Sequence, residues 1–325
     1  MLTGLLPIRL IYMCLTLLIT VLTERRLVPY LRSRAAQPIY SEGPSWHLSK
    51  SGTPTMGGIA FVIAVTVILI LAALICGAAS ETDTAYSLLI AALFSLGNSA
   101  IGLIDDLTKL RRKKNGGLTP VQKLAMQALL ATLFLWARAA LTSDGTTLVF
   151  SFGALELGFL YYPLCVIILL GIVNCANLTD GVDGLAASVA FAFGTCVILY
   201  TVNVDASIIA LCMIGGAIGF LCFNLHPARI FMGDTGSLFF GALAASCGFC
   251  IGNPTTVVPI GIVYVIEGVS VILQVAVYKL CKRRVFKMAP LHHHLERSGI
   301  EESVICIIAI LTTVAAALIC SPLFL

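Results

Sequence analysis

The sequence predicts an all-α integral membrane protein of about ten spanning helices. Three observations carry that expectation: its apolar content, the recurrence of long apolar runs, and the one-sided placement of its basic residues. Apolar residues make up 59% of the 325 residues against 11% charged, and the mean hydropathy is +1.00. Water-soluble domains do not have such compositions. A hydrocarbon core about 30 Å thick needs about 20 apolar residues per helix. Runs of that kind recur at 5–23, 57–79, 86–104, 122–141, 157–174, 184–203, 206–223, 237–253, 256–281 and 303–323. Residues 1–325 read as one polytopic membrane domain.

The first run differs from a cleaved signal peptide because its charge, Glu24-Arg25-Arg26, follows the apolar stretch. Numbering the runs sorts the loops into two sets. Loops 24–56, 105–123 and 224–236 and the stretch 279–302 hold eighteen of the twenty Lys and Arg residues, leaving Arg9 and Arg138 opposite. The positive-inside rule makes the rich side cytoplasmic and places both chain ends outside. A net charge of +4 does not indicate nucleic-acid binding, since these residues flank helix ends where anionic lipid attracts them. Most of the twelve cysteines lie inside runs, where they act as small apolar packing residues, so neither disulfides nor zinc are expected.

The outward loops, 142–156 included, are short or plain. Five polar clusters lie inward: Gly52 to Gly58, Asp105-Asp106, Asn174 to Gly184, Asn224 to Ser237, and Pro290 to Glu296. Adjacent carboxylates at the end of an apolar helix repel and need a cation. Lys109 is in reach of either if the helix continues, a divalent metal would do more, and a solvated helix end is the plain alternative. Asp180 and Asp183 share a face if their turn is helical, though Asp183 also suits a helix cap with Gly181 in a turn. Asp234 lies between glycines just before the eighth run, beside an anion-friendly helix start. His292-His293-His294 suits phosphate donation or proton movement. Glu267, inside the ninth run, either lines a polar groove or packs in protonated form.

Together the clusters resemble one family over essentially the whole chain. The matching segments are Lys50 to Gly58, Gly102 to Asp106 with Lys109, Asn177 to Ala186, Asn224 through Phe231 to Leu238, and Pro290 to Glu296. They are similar to the bacterial phospho-MurNAc-pentapeptide translocases of the polyprenyl-phosphate N-acetylhexosamine-1-phosphate transferase superfamily. His226 and Glu301-Glu302 depart from the family's commoner residues.

The resemblance implies a plasma-membrane enzyme, active on the cytoplasmic face, that forms lipid I and UMP from UDP-MurNAc-pentapeptide and undecaprenyl phosphate, the first membrane step of peptidoglycan synthesis. It implies Mg2+ as cofactor, a membrane-lipid environment, and allows for a homodimer. Asp234 is then the first choice of metal ligand, with Asp105 or Asp106 adjoining it and the other orienting or deprotonating the lipid phosphate; one and two displacements both remain open. Lys109, Lys113, His292 and His293 are implied phosphate contacts, the last two also catalytic. Asn224, Phe231, Asp183 and Gly181 are implied near uridine, and Lys50, Thr55, Asn174, Asn177, Asp180 and His294 complete the implied substrate set. Two alternatives stand beside this reading. One is a GlcNAc-1-phosphate transferase of the same superfamily. The other is a transporter, whose sites lie nearer the bilayer midplane between repeated halves.

Overall fold

In the computed structural model, which describes residues 2–33, 52–112 and 116–324, helices dominate. They are α1 (Leu2–Arg32), α2 (Gly58–Ala78), α3 (Thr82–Arg112), α4 (Pro120–Leu141), α5 (Tyr161–Thr179), α6 (Leu185–Tyr200), α7 (Val204–Asn224), α8 (Gly233–Ile251), α9 (Val257–Ile260), α10 (Ile262–Cys281), α11 (Leu291–Glu296) and α12 (Glu302–Phe324). Among the described residues, α2, α3, α4, α5, α7, α8, α10 and α12 are long and apolar enough to cross a membrane. The protein is therefore an all-α integral membrane protein. The first predicted run lies within α1. The sixth corresponds to α6, whose 16 residues bury most of their side chains in the bundle. At 1.5 Å per residue α6 covers about 24 Å, less than a bilayer's apolar thickness, so its neighbours must shield its ends from lipid.

Helices α7 and α8 form the interior. Their apolar windows are 83% and 89% buried, against 28% for α4, α10 and α12, which present most of their surface to lipid. Helix α8 packs on α2, α3, α5 and α7; α1 packs on α7 and α2; α6 packs on α7 and α12. Lipid tails are as apolar as Leu, so close helix association depends on small residues. Gly102 of α3 lies against the backbone of Asp234 and Thr235, and a Cβ there would stand 2.2 Å from the Asp234 carbonyl oxygen. Gly58 of α2 meets Gly236 of α8 just as closely. Behind these contacts the Phe61 ring stacks on Phe240 at 4.2 Å.

Alternating helix direction brings the C-terminal ends of α3, α5 and α7 to the N-terminal ends of α2, α4, α6, α8 and α12. The predicted polar clusters meet there. At the opposite end, β1 (Thr147–Phe150) and β2 (Gly153–Glu156) form an antiparallel hairpin pairing Thr147 with Glu156. The Ser151 amide between them donates to the Leu323 carbonyl of α12 at 2.9 Å. This hairpin occupies a stretch expected to be a plain loop; four-residue strands are too short for their alternation to stand out.

Other boundaries also move. A 3-10 turn at Pro254–Thr256 leads into the ninth predicted run, which is divided into α9 and α10. Pro259 has no amide to donate, and Gly261 leaves helical geometry with φ −96° and ψ 26°. Helix α8 starts at Gly233 rather than after Asp234, so Asp234 belongs to its first turn. Asp183 does not cap α6, whose N-cap is Gly184 in left-handed conformation.

Candidate active site

The start of α8 organises the site. Gly233 has φ +69°, a conformation favouring glycine, and a side chain there would also strike Asp106, whose Oδ2 would lie 2.6 Å from its Cβ. Asp106 closes this turn from α3. Its Oδ1 accepts from the Asp234 amide at 3.1 Å, and its Oδ2 accepts from the Thr235 amide at 3.0 Å and the Thr235 hydroxyl at 2.7 Å. It thus satisfies first-turn donors as an N-cap would, but from another helix. Close packing at Gly102 makes that reach short enough.

Asp234 projects from the same turn into a cluster of charges. Its Oδ2 accepts from Lys123 Nζ at 2.8 Å and Lys109 Nζ at 3.1 Å, and its Oδ1 accepts from the Asn177 side-chain Nδ2 at 2.9 Å. Lys109 also lies 2.7 Å from Asp105 Oδ2, while Asp105 Oδ1 accepts from the Leu118 amide at 2.6 Å. One ammonium therefore bridges carboxylates from α3 and α8. Lys109 was expected to serve either member of the Asp105-Asp106 pair; it pairs with Asp105 and Asp234, because Asp106 is engaged by the α8 backbone.

Lys123 was counted in the sequence only among basic residues. It stands in the first turn of α4, behind a capping box in which the Thr119 hydroxyl accepts from the Gln122 amide and the Gln122 side chain accepts from the Thr119 amide. That box fixes where α4 begins and aims Lys123 at both Asp234 and Asn177, whose Oδ1 it reaches at 3.2 Å. A lysine in the first turn of an apolar helix on the basic side looks the same whether it fixes topology or serves a site, so no local signal marked it.

Asp180 follows the last residue of α5 and is half-buried. Burial, then the neighbouring Asp234, Asp106 and Asp183 carboxylates, raise its pKa to about 8. An ordinary carboxyl titrates near 3.8, so between these values the folded protein holds a proton that the unfolded chain has lost. Stability contributed by this group must fall as pH rises across that window. Thermal midpoints of the wild type in detergent are expected to decline from pH 5 to 8, and Asp180→Asn is expected to flatten that decline. An unchanged slope in the variant would assign the pH dependence elsewhere.

The implied uridine residues are held by backbone pairings. The Asn224 side chain accepts from the Gly184 amide at 2.9 Å and donates to the Ile230 carbonyl at 2.8 Å. Asp183 Oδ2 accepts from the Ala228 amide at 3.0 Å. The Phe231 amide donates to the Pro54 carbonyl and the Gly57 amide to the Phe231 carbonyl, each at 2.8 Å, which seats Thr55 beside Gly233. Phe231 is half-buried.

The histidines separate into different environments. His292, 1% exposed, donates its amide to both oxygens of Glu267 at 3.2 Å, and its Nδ1 stands 3.2 Å from Glu267 Oε2. Glu267 thereby anchors α11. The His292 Nε2 faces Gly181, where a Cβ would come within 2.2 Å, so no larger residue fits. His293 Nδ1 lies 2.5 Å from Glu296 Oε2. His294 turns away, its Nδ1 accepting from the Lys287 amide at 3.1 Å with the ring against Phe286. Asn174 also turns away, donating to Gln127 Oε1 of α4 at 2.9 Å. Lys50 and Lys113 lie outside the described residues.

A multi-pass helical bundle with a carboxylate and ammonium cluster at one end has the form of a membrane protein that handles an anionic substrate, and its relatives make it a transferase. The family model for Glycosyl transferase family 4 matches residues 87–251, which include Asp105, Asp106, Lys123, Asn177 and Asp234. Signature 1 of the phospho-N-acetylmuramoyl-pentapeptide-transferases matches residues 50–62. The chain is 39% identical over 305 residues to the phospho-N-acetylmuramoyl-pentapeptide-transferase of Desulfitobacterium hafniense, covering 89% of each chain. It is 38% identical over 293 residues to that of Clostridium perfringens, covering 89% of this chain and 88% of the relative. With that of Shouchella clausii it shares 42% identity over 285 residues and 85% of each chain. The chain belongs to the phospho-N-acetylmuramoyl-pentapeptide-transferase family, and it is a multi-pass bacterial membrane transferase.

Proposed function

We propose that this transferase moves phospho-MurNAc-pentapeptide from its UDP-linked form to undecaprenyl phosphate, with the basic end of the bundle facing the cytoplasm. The observation that carries this reading is the Asp105, Lys109, Asp234 and Lys123 cluster, a set of paired charges suited to anionic diphosphate chemistry. A lipid-phosphate oxygen forms a bond to the sugar-linked phosphorus, the bond from that phosphorus to the bridging oxygen breaks, and UMP leaves. Lys109 and Lys123 counter the charge on the diphosphate, Asp105 orients the attacking phosphate, and Asp106 positions the α8 turn.

The donor set suits Mg2+. Asp234 and Asp105 offer hard oxygen ligands, and Lys109 already brings a positive charge between them. When bound, the ion would neutralise diphosphate oxygens. Asp180, Gly181, Asp183, Asn224 and Phe231 form the nucleotide side of this reading, with His292 and His293 closing the phosphate side.

UMP release is the direct test. Purified protein in detergent with Mg2+ and undecaprenyl phosphate is expected to release UMP from UDP-MurNAc-pentapeptide and not from UDP-GlcNAc. Release from UDP-GlcNAc alone would reassign the chain to the other transferase branch.

A further inference from the structure

Among the described residues, the one group of three His, Cys, Asp or Glu side chains whose ligand atoms all lie within 4.8 Å of one another is Asp183, His226 and Glu302. The charge cluster around Asp234 is a separate group. Asp183 comes from the turn between α5 and α6, His226 from the segment between α7 and α8, and Glu302 from the first residue of α12. Three parts of the chain, distant in sequence, therefore converge on one point.

We propose that Asp183, His226 and Glu302 form a binding site for a borderline divalent cation of the Zn2+ type. The first argument is geometric. His226 Nδ1 lies 3.1 Å from Asp183 Oδ2 and 3.6 Å from Glu302 Oε1. A tetrahedral zinc with bonds of about 2.0–2.2 Å separates its ligand atoms by about 3.3–3.6 Å. Small side-chain adjustments bring the observed separations to those values.

The second argument is that both carboxylates are already oriented by other groups. Glu302 Oε2 accepts from the Asp183 amide at 2.9 Å, which leaves Oε1 on the His226 side. Asp183 Oδ2 accepts from the Ala228 amide at 3.0 Å while facing His226. One turn further along α12, the Cys306 thiol donates to the Asp183 carbonyl at 3.4 Å, so α12 grips this residue twice. The carboxylate oxygens thus need little ordering when an ion arrives, and the ordering cost of binding is reduced.

The third argument concerns ligand type and access. One imidazole with two carboxylates suits zinc, whereas magnesium prefers oxygen donors alone. His226 is exposed, and with Glu302 it lines a cavity of about 450 Å3 bordered by Glu296, Ile300, Glu301 and Ser303. An ion can enter from that side, and a water can complete its coordination. Binding would clamp α12 and the 225–231 segment onto the Asp183 turn, at the edge of the implied nucleotide side to which Asp183 and Asn224 belong.

The test uses the full chain in detergent with Mg2+ in large excess, so that oxygen-only sites are filled. Zn2+ retained per protein is measured by equilibrium dialysis and elemental analysis, and thermal midpoints are recorded with and without Zn2+. The wild type is expected to retain one Zn2+ and to gain thermal stability from it. His226→Ala and Glu302→Gln are each expected to weaken zinc binding at least tenfold and to lose the thermal gain. Two results overturn the site. One is no retained Zn2+ in the wild type, which leaves His226 as a residue merely paired with two carboxylates. The other is undiminished retention by both variants, which moves the zinc to another group such as His293 and Glu296. Because the two variants alter different segments, failure of one to fold leaves the other to decide.

Discussion

Asp234→Asn is expected to lower UMP release from UDP-MurNAc-pentapeptide by about 10³-fold or more, the scale of losing a preorganised charge in a water-poor site. The carboxylate is shared among Lys123 at 2.8 Å, Lys109 at 3.1 Å and Asn177 at 2.9 Å. An amide keeps one oxygen, presents an NH2 group to one of these donors, and leaves two ammonium groups short of negative charge in part-buried surroundings. It is also a poor ligand for a hard cation. The fold should survive, because the α8 turn is held through the backbone amides of residues 234 and 235 rather than through this side chain. Turnover within tenfold of wild type by a folded, detergent-stable variant would remove Asp234 from the chemistry.

Helices and polar clusters were legible in the sequence for a common reason. In a chain this apolar, every polar group in or beside a span must have a partner, so each departure from hydrophobicity marks a place where something is bound or capped. The Asp105-Asp106 pair, Asn177 to Gly184, and Phe231 to Ser237 stood out in that way and converge at one end of the bundle. Partnerships between clusters were not legible. Lys109 and Lys123 meet Asp234 across 125 and 111 residues of sequence, and nothing local distinguishes Lys123 from a residue that only fixes topology.

Pairings through the backbone were hidden as well. Glu267 is recognisable as an anomaly within an apolar run, yet its partner is the main-chain amide of His292, which carries no residue signature. His226 and Glu302 stood out in the sequence only as departures from the family's commoner residues, with nothing local to pair them. They acquire meaning only once the turn at Asp183 is brought between them. The break at Gly261 was masked by the hydrophobicity of residues on both sides of it, which made α9 and α10 look like one span.

Sequence alone treated Asp105 and Asp106 as interchangeable, and the structure separates them, so their variants are expected to fail differently. Asp106 accepts three hydrogen bonds from the first turn of α8. Asp106→Ala leaves these donors without their acceptor, at a cost of about 2 kcal/mol for a lost cap with charged character. Asp106→Asn replaces one acceptor oxygen with an NH2 group that opposes the Thr235 donors. Both variants should melt earlier than wild type and lose turnover because Asp234 is no longer held in place. Asp105→Asn retains an oxygen for the Leu118 amide, now 2.6 Å from Oδ1, and so keeps the loop before α4 in position. What it loses is the negative charge opposite Lys109 at 2.7 Å. Turnover is expected to drop by about 10²–10³-fold, as for loss of a positioned base or orienting carboxylate, with the thermal midpoint close to wild type. Melting curves and UMP release measured on the same preparations check the distinction. A large thermal loss with near-normal turnover in Asp105→Asn, or normal melting in Asp106→Ala, would reverse the two assignments.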